Sequence, residues 1–271
     1  MTVSTSVPAI YGPVQSWRFG KSLGIDMIGP ISACSFNCLY CQLGGIEQII
    51  CDRGLFVSTT DLHDELTQQT WEEIDVVTFS GSGEPTLALN LGEGIQAVHE
   101  YTQCPVVVLT NGTLLGDRAV QEDVATADIV SIKLDAVSSH RWHELNRPAS
   151  DLLLETVLRN MISFREKYAG FLAIQTMVME PWPATEEQRY IALLNAIQPD
   201  EVQLNTPLRP RPVTHQVDAR GNHPIDSDTW RYPRHVTSET LSAMGDRLQA
   251  ELKAPVKLPP QTPLTSHHIP S

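Results

Sequence analysis

Short apolar runs alternate with amphipathic stretches through the first three quarters of the chain. Gly24-Ile25-Asp26-Met27-Ile28 predicts a first strand. The β-branched run Val76-Val77-Thr78-Phe79-Ser80 predicts a second. Residues 106–110 are almost continuously apolar, as a strand covered on both faces must be. Further strands are expected at 129–134, 171–179 and 201–205. Between them, apolar positions recur at helical spacing. Leu62 and Leu66 lie four apart in 60–70, with Thr60 or Asp61 as a cap, and Leu154, Val157, Leu158, Met161 and Ile162 make one stripe within 151–168. Helices are likewise expected at 91–102, 117–125 and 186–197.

Six strand–helix alternations imply parallel β/α units. Six is short of the eight that close a barrel, so the expected fold is an α/β one, either an open or partial barrel or a doubly wound sheet. Residues 1–23, with Pro8, Gly12, Pro13 and Gly20, read as a lead-in of little regular structure. The α/β body spans 24–207. From 208 the texture changes: Pro, Arg and His dominate to 235, as in a long functional loop. A last helix is expected over 238–252, with Leu241, Met244, Leu248 and Leu252 as its stripe. The tail from Pro255 reads as frayed.

Composition narrows the classes. The 271 residues are 41% hydrophobic and 19% charged, enough for a sizeable core. A net charge of -13 speaks against a general nucleic-acid coat or a polybasic membrane binder. No apolar run reaches the ~18 residues of a membrane span, and no secretory signal is visible, so a cytoplasmic location is expected.

The chemistry concentrates in Cys34-Ser35-Phe36-Asn37-Cys38-Leu39-Tyr40-Cys41, which follows the first strand. Three of the five cysteines fall in these eight residues, and in a reducing compartment such clustering means ligands or reactive thiols. Three thiolates on one short loop suit three irons of a cubane, leaving the fourth open to a chelating molecule, as in an open catalytic metal site. The competing reading is a zinc-stabilised binding module without turnover, although no second C-x-x-C arm is present.

This C-x3-C-x2-C loop, with an aromatic residue before its last cysteine, resembles that of the radical S-adenosylmethionine (radical SAM) superfamily. The likeness covers roughly residues 10–207. Ser80-Gly81-Ser82-Gly83-Glu84-Pro85-Thr86 follows the second strand, where that superfamily places a glycine-rich, glutamate-ending motif. With Phe19-Gly20-Lys21-Ser22-Leu23-Gly24 and Asn146-Arg147-Pro148, it is most similar to a subgroup of iron–sulfur oxidoreductases related to the wybutosine-synthesising tRNA enzymes.

The resemblance implies a partial (β/α)6 barrel. It also implies one 4Fe-4S cluster on Cys34, Cys38 and Cys41, with S-adenosylmethionine (SAM) on the fourth iron. Reductive cleavage of SAM then gives a 5′-deoxyadenosyl radical that takes hydrogen from a substrate. The electron comes from a donor such as flavodoxin or ferredoxin, and the substrate is a small molecule, a peptide or RNA. A tRNA-modifying enzyme is one version; the acidic charge opposes it, whereas Arg209, Arg211, Arg220, Arg231 and Arg234 could form a basic face.

Tyr40 takes the position that lies near the adenine in that superfamily. Gly81 and Gly83 let the backbone approach a ligand, Ser82 stands where the family has a glycine, and Glu84 either holds the SAM ammonium or braces its loop. Other candidates end later strands, where parallel folds bind ligands. Asn111 sits in Thr110-Asn111-Gly112. Lys133 and Asp135 share one side of their strand, toward the SAM carboxylate or ribose if they face inward. Gln175 and Met177 share a face, as do Gln203 and Asn205, whose amides suit ribose or the adenine edge or else fill the barrel. Arg147, Arg209 and Arg211 are candidate anion contacts. His215, His223 and His235 show no ligand spacing, and Cys51 and Cys104 are isolated.

Overall fold

A computed structural model of the chain describes residues 7–221 and 230–260. In chain order the elements are β1 (Ile10–Ser16), β2 (Gly20–Ile25), β3 (Ala33–Cys34), β4 (Gln48–Ile49), α1 (Thr59–Leu66), β5 (Val76–Phe79), α2 (Leu91–Tyr101), β6 (Val106–Thr110) and α3 (Arg118–Val124). Then come β7 (Ile129–Lys133), α4 (Ser139–Leu145), α5 (Leu154–Arg165), β8 (Phe171–Met177), α6 (Ala184–Ile197) and β9 (Glu201–Asn205). The chain ends in β10 (Arg211–Pro212), β11 (Trp230–Arg231), α7 (Ser238–Glu251) and β12 (Val256–Lys257).

Strand periodicity builds a two-faced sheet. Leu23, Ile25, Val77, Phe79, Val130, Ile132, Leu172, Ile174, Val202 and Leu204 are buried and join one core with the helices. The alternate positions are mostly polar: Ser22, Thr78, Ser131, Lys133, Gln175, Glu201, Gln203 and Asn205. Since side chains alternate across a strand, this second set lines the inside of the curled sheet. The eight strands run in the order β1-β2-β5-β6-β7-β8-β9-β12. All neighbours are parallel except β1 and β2. The six central strands form the expected partial (β/α)6 barrel, and the polar row inside it is in register: Lys133 pairs with Gln175 and Gln175 with Gln203.

Both ends of the sheet differ from the sequence reading. The lead-in is a hairpin: β1 runs antiparallel to β2, with a register shift between Tyr11 and Val14 around Pro13. Proline hides this strand from a pattern reading, because it can sit in a sheet only at an edge or bulge, and β1 is the edge. The tail from Pro255 is ordered as β12, which pairs Val256 with Val202 and Lys257 with Gln203. Its ion pair, Lys257 Nζ to Glu201 at 2.6 Å, anchors it. A short helix, α4, was also unforeseen, and the expected long loop contains the β10–β11 ribbon. His223 and the residues from 261 onward lie outside the described parts. No helix among the described residues is long and apolar enough to cross a membrane.

Candidate functional site

The cysteine loop is held by backbone before any side chain acts. Asp26, just past β2, accepts from the amides of Ile28 and Gly29 at 3.0 and 3.2 Å and turns the chain. β3 then runs to Cys34, pairs in parallel with β4 and bridges Ala33 to Gly83. Beyond it, the Asn37 amide donates to Asn146 O at 3.0 Å, Leu39 N to Leu145 O at 2.8 Å and Ala149 N to Ser35 O at 2.9 Å. The end of α4 and the Asn146-Arg147-Pro148 segment thus clasp the loop from one side. From the other, Arg211 Nη1 donates to Cys38 O at 3.1 Å and Gln216 N to Leu43 O at 2.9 Å.

All three thiols are free. Cys34 Sγ accepts from Phe36 N at 3.4 Å and from Asn111 Nδ2 at 3.6 Å. Cys38 Sγ accepts from Asn146 Nδ2 at 3.5 Å. Burial raises every one of them. Cys34 goes well above the ordinary thiol value, with Glu84 and the neighbouring cysteines adding to the effect, Cys38 reaches about 12 although Lys133 opposes the rise, and Cys41 also rises. Buried thiolates are costly without a cation to neutralise them. Among the described residues, no three His, Cys, Asp or Glu side chains converge on the position of a single metal ion. A cubane needs a wider arrangement, because each thiolate meets a different iron.

Tyr40, Lys133 and Asp135 come together beside this loop. The Tyr40 hydroxyl donates to Asp135 and accepts from Lys133 Nζ at 3.1 Å, and the ammonium lies 4.9 Å from the ring centroid. Asp135 also accepts from Asn146 Nδ2 and from Met177 N, at 2.7 and 2.8 Å. Lys133 stands 3.9 Å from this carboxylate. Burial pulls the ammonium's pKa down, but the charges of Asp135, Cys38 and Cys41 outweigh it and the net shift is upward.

The glycine-rich turn packs under the cysteine loop. A Cβ on Gly83 would stand 1.7 Å from Ala33 O, so only glycine permits the bridge to β3. Glu84 N donates to Ala33 O at 2.9 Å. The Glu84 carboxylate takes Thr86 N, Thr86 Oγ1, Thr110 Oγ1 and Asn111 N, at 3.2, 2.7, 2.6 and 2.7 Å. Three of these donors meet Oε1 and one meets Oε2, so the carboxylate ties its own turn to the end of β6. Ser82 N bonds Asp26 at 2.9 Å, and its buried hydroxyl has no partner among the described residues. Asn111 also donates to Ser35 Oγ at 2.8 Å. On β9, Gln203 donates to Glu201 at 2.7 Å and leaves Oε1 without a partner among the described residues, while Asn205 lines the cavity. That cavity has a volume of about 730 Å³ and is bordered by Tyr40, Gln42, Thr78, Met177 and Asn205.

In Asn146-Arg147-Pro148 the two polar side chains part company. Arg147 is exposed with φ 48°, whereas Asn146 turns inward to Cys38 and Asp135. The Asp26–Arg220 ion pair, 2.7 Å and buried, joins two segments that no local pattern relates. Asn37 uses its side-chain oxygen to accept from Ile46 N at 3.3 Å. Cys104 donates to Ile74 O at 3.2 Å, and His215 lies beside Glu47 at 3.8 Å, both as local contacts.

Comparison with known proteins identifies the family. The model of the Radical SAM superfamily matches residues 28–184. A UPF0026 protein of Synechocystis sp. is 45% identical over 261 residues, which are 95% of this chain and 98% of that protein. A UPF0026 protein of Methanocaldococcus jannaschii is 37% identical over 206 residues, 74% of this chain and 64% of that protein. A probable GTP 3′,8-cyclase of Saccharolobus islandicus is 28% identical over 130 residues, 47% of this chain and 40% of its own. Among solved structures, the fold resembles a radical SAM methyltransferase from Sphaerobacter thermophilus, at TM-score 0.56 and 12% identity, over 88% of this chain and 65% of that one. It also resembles anSMEcpe with bound AdoMet, at TM-score 0.57 and 15% identity, over 84% and 62%. The chain therefore spans less than two thirds of the archaeal relatives and of both solved structures.

Proposed function

The chain belongs to the radical SAM superfamily, and we propose that Cys34, Cys38 and Cys41 carry its 4Fe-4S cluster at the mouth of the half-barrel. Membership makes the protein an enzyme, and the reading of a zinc-stabilised module without turnover gives way. The observation that carries the proposal is the setting of the three thiols. All three are free, Cys38 buried and Cys34 and Cys41 half-buried; Cys34 and Cys38 receive amide hydrogens from Asn111 and Asn146, and the Lys133 charge opposes the rise that burial imposes on the Cys38 thiol. That donor set favours thiolates bound to a cationic cluster. Bound there, the cluster would supply one electron to SAM and give a 5′-deoxyadenosyl radical.

The chain's own residues then divide the work. Asn111 and Asn146 orient and polarise the thiolates. Tyr40 packs between the loop and the Lys133–Asp135 pair and fixes one wall of the SAM pocket. Lys133 presents a charged ammonium toward that pocket, suited to a carboxylate. Ser82, whose hydroxyl has no partner among the described residues, and Gly83 lie on the turn that bridges to the cysteine loop at Ala33, and Glu84 keeps that turn rigid. Gln203 and Asn205 offer amides on the far wall for ribose or adenine. A one-electron donor of the flavodoxin or ferredoxin class is the expected partner.

Anaerobic reconstitution with iron and sulfide tests this. The wild-type chain is expected to take up four irons and release 5′-deoxyadenosine from SAM on reduction. Cys38→Ala is expected to lose both. Equal iron content in the two proteins would remove the assignment.

A further inference from the structure

The turn between β1 and β2 carries an arginine into the barrel. Arg18 lines the 730 Å³ cavity, and its charge is near enough to Lys133 to oppose that ammonium. Its Nε is buried and has no hydrogen-bond partner, and none of its guanidinium nitrogens forms an ion pair among the described residues. The guanidinium carbon rests only 4.7 Å from the Trp17 ring centroid. Burial lowers its pKa to about 10. The side chain is half-buried, and a cation that faces a cavity with no counter-charge beside it has donors free for a ligand.

The rest of the lining agrees. The chain has 32 acidic residues against 19 Lys and Arg, yet the described cavity wall holds Arg18, Arg209 and Arg220 and no Asp or Glu. Arg220 is neutralised by Asp26 behind the wall. On the strand row that contains Lys133, Ser131 Oγ, Gln175 Nε2 and Gln203 Oε1 also lack partners among the described residues. These groups suit the polar body of a molecule whose charged end meets the arginine.

Resting on the reading above that the half-barrel holds SAM beside Tyr40, which also borders this cavity, we propose that the cavity takes the substrate, that the substrate carries an oxyanion, a carboxylate or a phosphate, and that Arg18 binds it. The guanidinium fork matches either group with paired N–H donors.

The test is calorimetric titration of the full-length, reconstituted protein with SAM present at saturation, using inorganic phosphate in one arm and acetate in the other, against sodium chloride of equal ionic strength. Wild type is expected to bind at least one anion saturably, and the arm that saturates identifies the group. Arg18→Gln is expected to weaken it about tenfold or more, as for a lost hydrogen bond to a charged group, with Arg18→Lys in between. Equal anion affinity in Arg18→Gln, or no saturable binding in wild type, overturns the proposal. SAM binding by equilibrium dialysis separates the sources: unchanged in Arg18→Gln, it supports a substrate anion; lost, it puts the arginine on the cofactor's carboxylate and overturns the proposal. Failure of the cluster assignment shows separately as absent iron, and the anion titration of the iron-free chain still reports on Arg18.

Discussion

Asn146 Nδ2 lies 3.5 Å from Cys38 Sγ, and the same amide reaches Asp135 at 2.7 Å. Its two hydrogens tie a thiol of the cysteine loop to the carboxylate that also accepts from Tyr40. Removing a donor to a cluster sulfur raises its electron density and makes the cluster harder to reduce. Asn146→Ala is therefore expected to shift the reduction potential to more negative values, with SAM cleavage down roughly 10–100-fold, the usual cost of losing a residue that orients a metal ligand. A redox titration followed by electron paramagnetic resonance reads the shift; an unchanged potential would limit Asn146 to packing.

Gly83 tests the link between the two motifs. An added Cβ would meet the backbone at Ala33 O, at 1.7 Å, and backbone cannot swing aside as a side-chain tip can. Gly83→Ala should break the bridge to β3 and displace Cys34, so iron uptake should fall while circular dichroism stays near wild type. Gly94→Ala is the contrast: its nearest atoms are side chains at 3.2 Å or more. It should load iron normally.

The body of the fold was legible because its periodicities are local. Val130, Ile132 and Leu134 alternate with Ser131, Lys133 and Asp135 in plain sequence, and the structure turns the two sets to opposite faces. The spacing of Cys34, Cys38 and Cys41 is equally local. What could not be read depends on distant partners. β12 is a strand only because β9 offers an open edge, and Pro255 and Pro259 mask it in sequence. Asn146 and Cys38 are 108 residues apart, and Arg220 and Asp26 are 194 apart. Glu84 shows the converse: its motif was legible, but the four donors around it were not.

The two remaining cysteines should be dispensable for the cluster. Cys51 is 4.0 Å from Asp151, whose charge together with burial raises its pKa, and Cys104 is bonded to Ile74 O. Cys51→Ser and Cys104→Ser are expected to retain wild-type iron and sulfide content and visible absorbance. Loss of iron in Cys51→Ser would make it a fourth ligand and close the open iron position.

The Asp26–Arg220 pair should be a large single contributor to stability outside the core. Both side chains are buried, and Arg220 Nη1 also reaches Pro8 O at 3.2 Å, so one guanidinium joins the C-terminal segment to the start of the hairpin. Asp26 on its own still accepts from Ile28 N, Gly29 N and Ser82 N. Those three donors soften the loss of the cation, so Arg220→Ala is expected at the low end of the range for a broken buried pair, about 3 kcal/mol in urea denaturation. The double variant Asp26→Asn with Arg220→Ala should recover part of that loss, because no charge is then left buried, and the difference gives the coupling. A cost of Arg220→Ala below about 1 kcal/mol, the range of exposed pairs, would mean that the pair is open to solvent and that the C-terminal segment is not held to the hairpin through it.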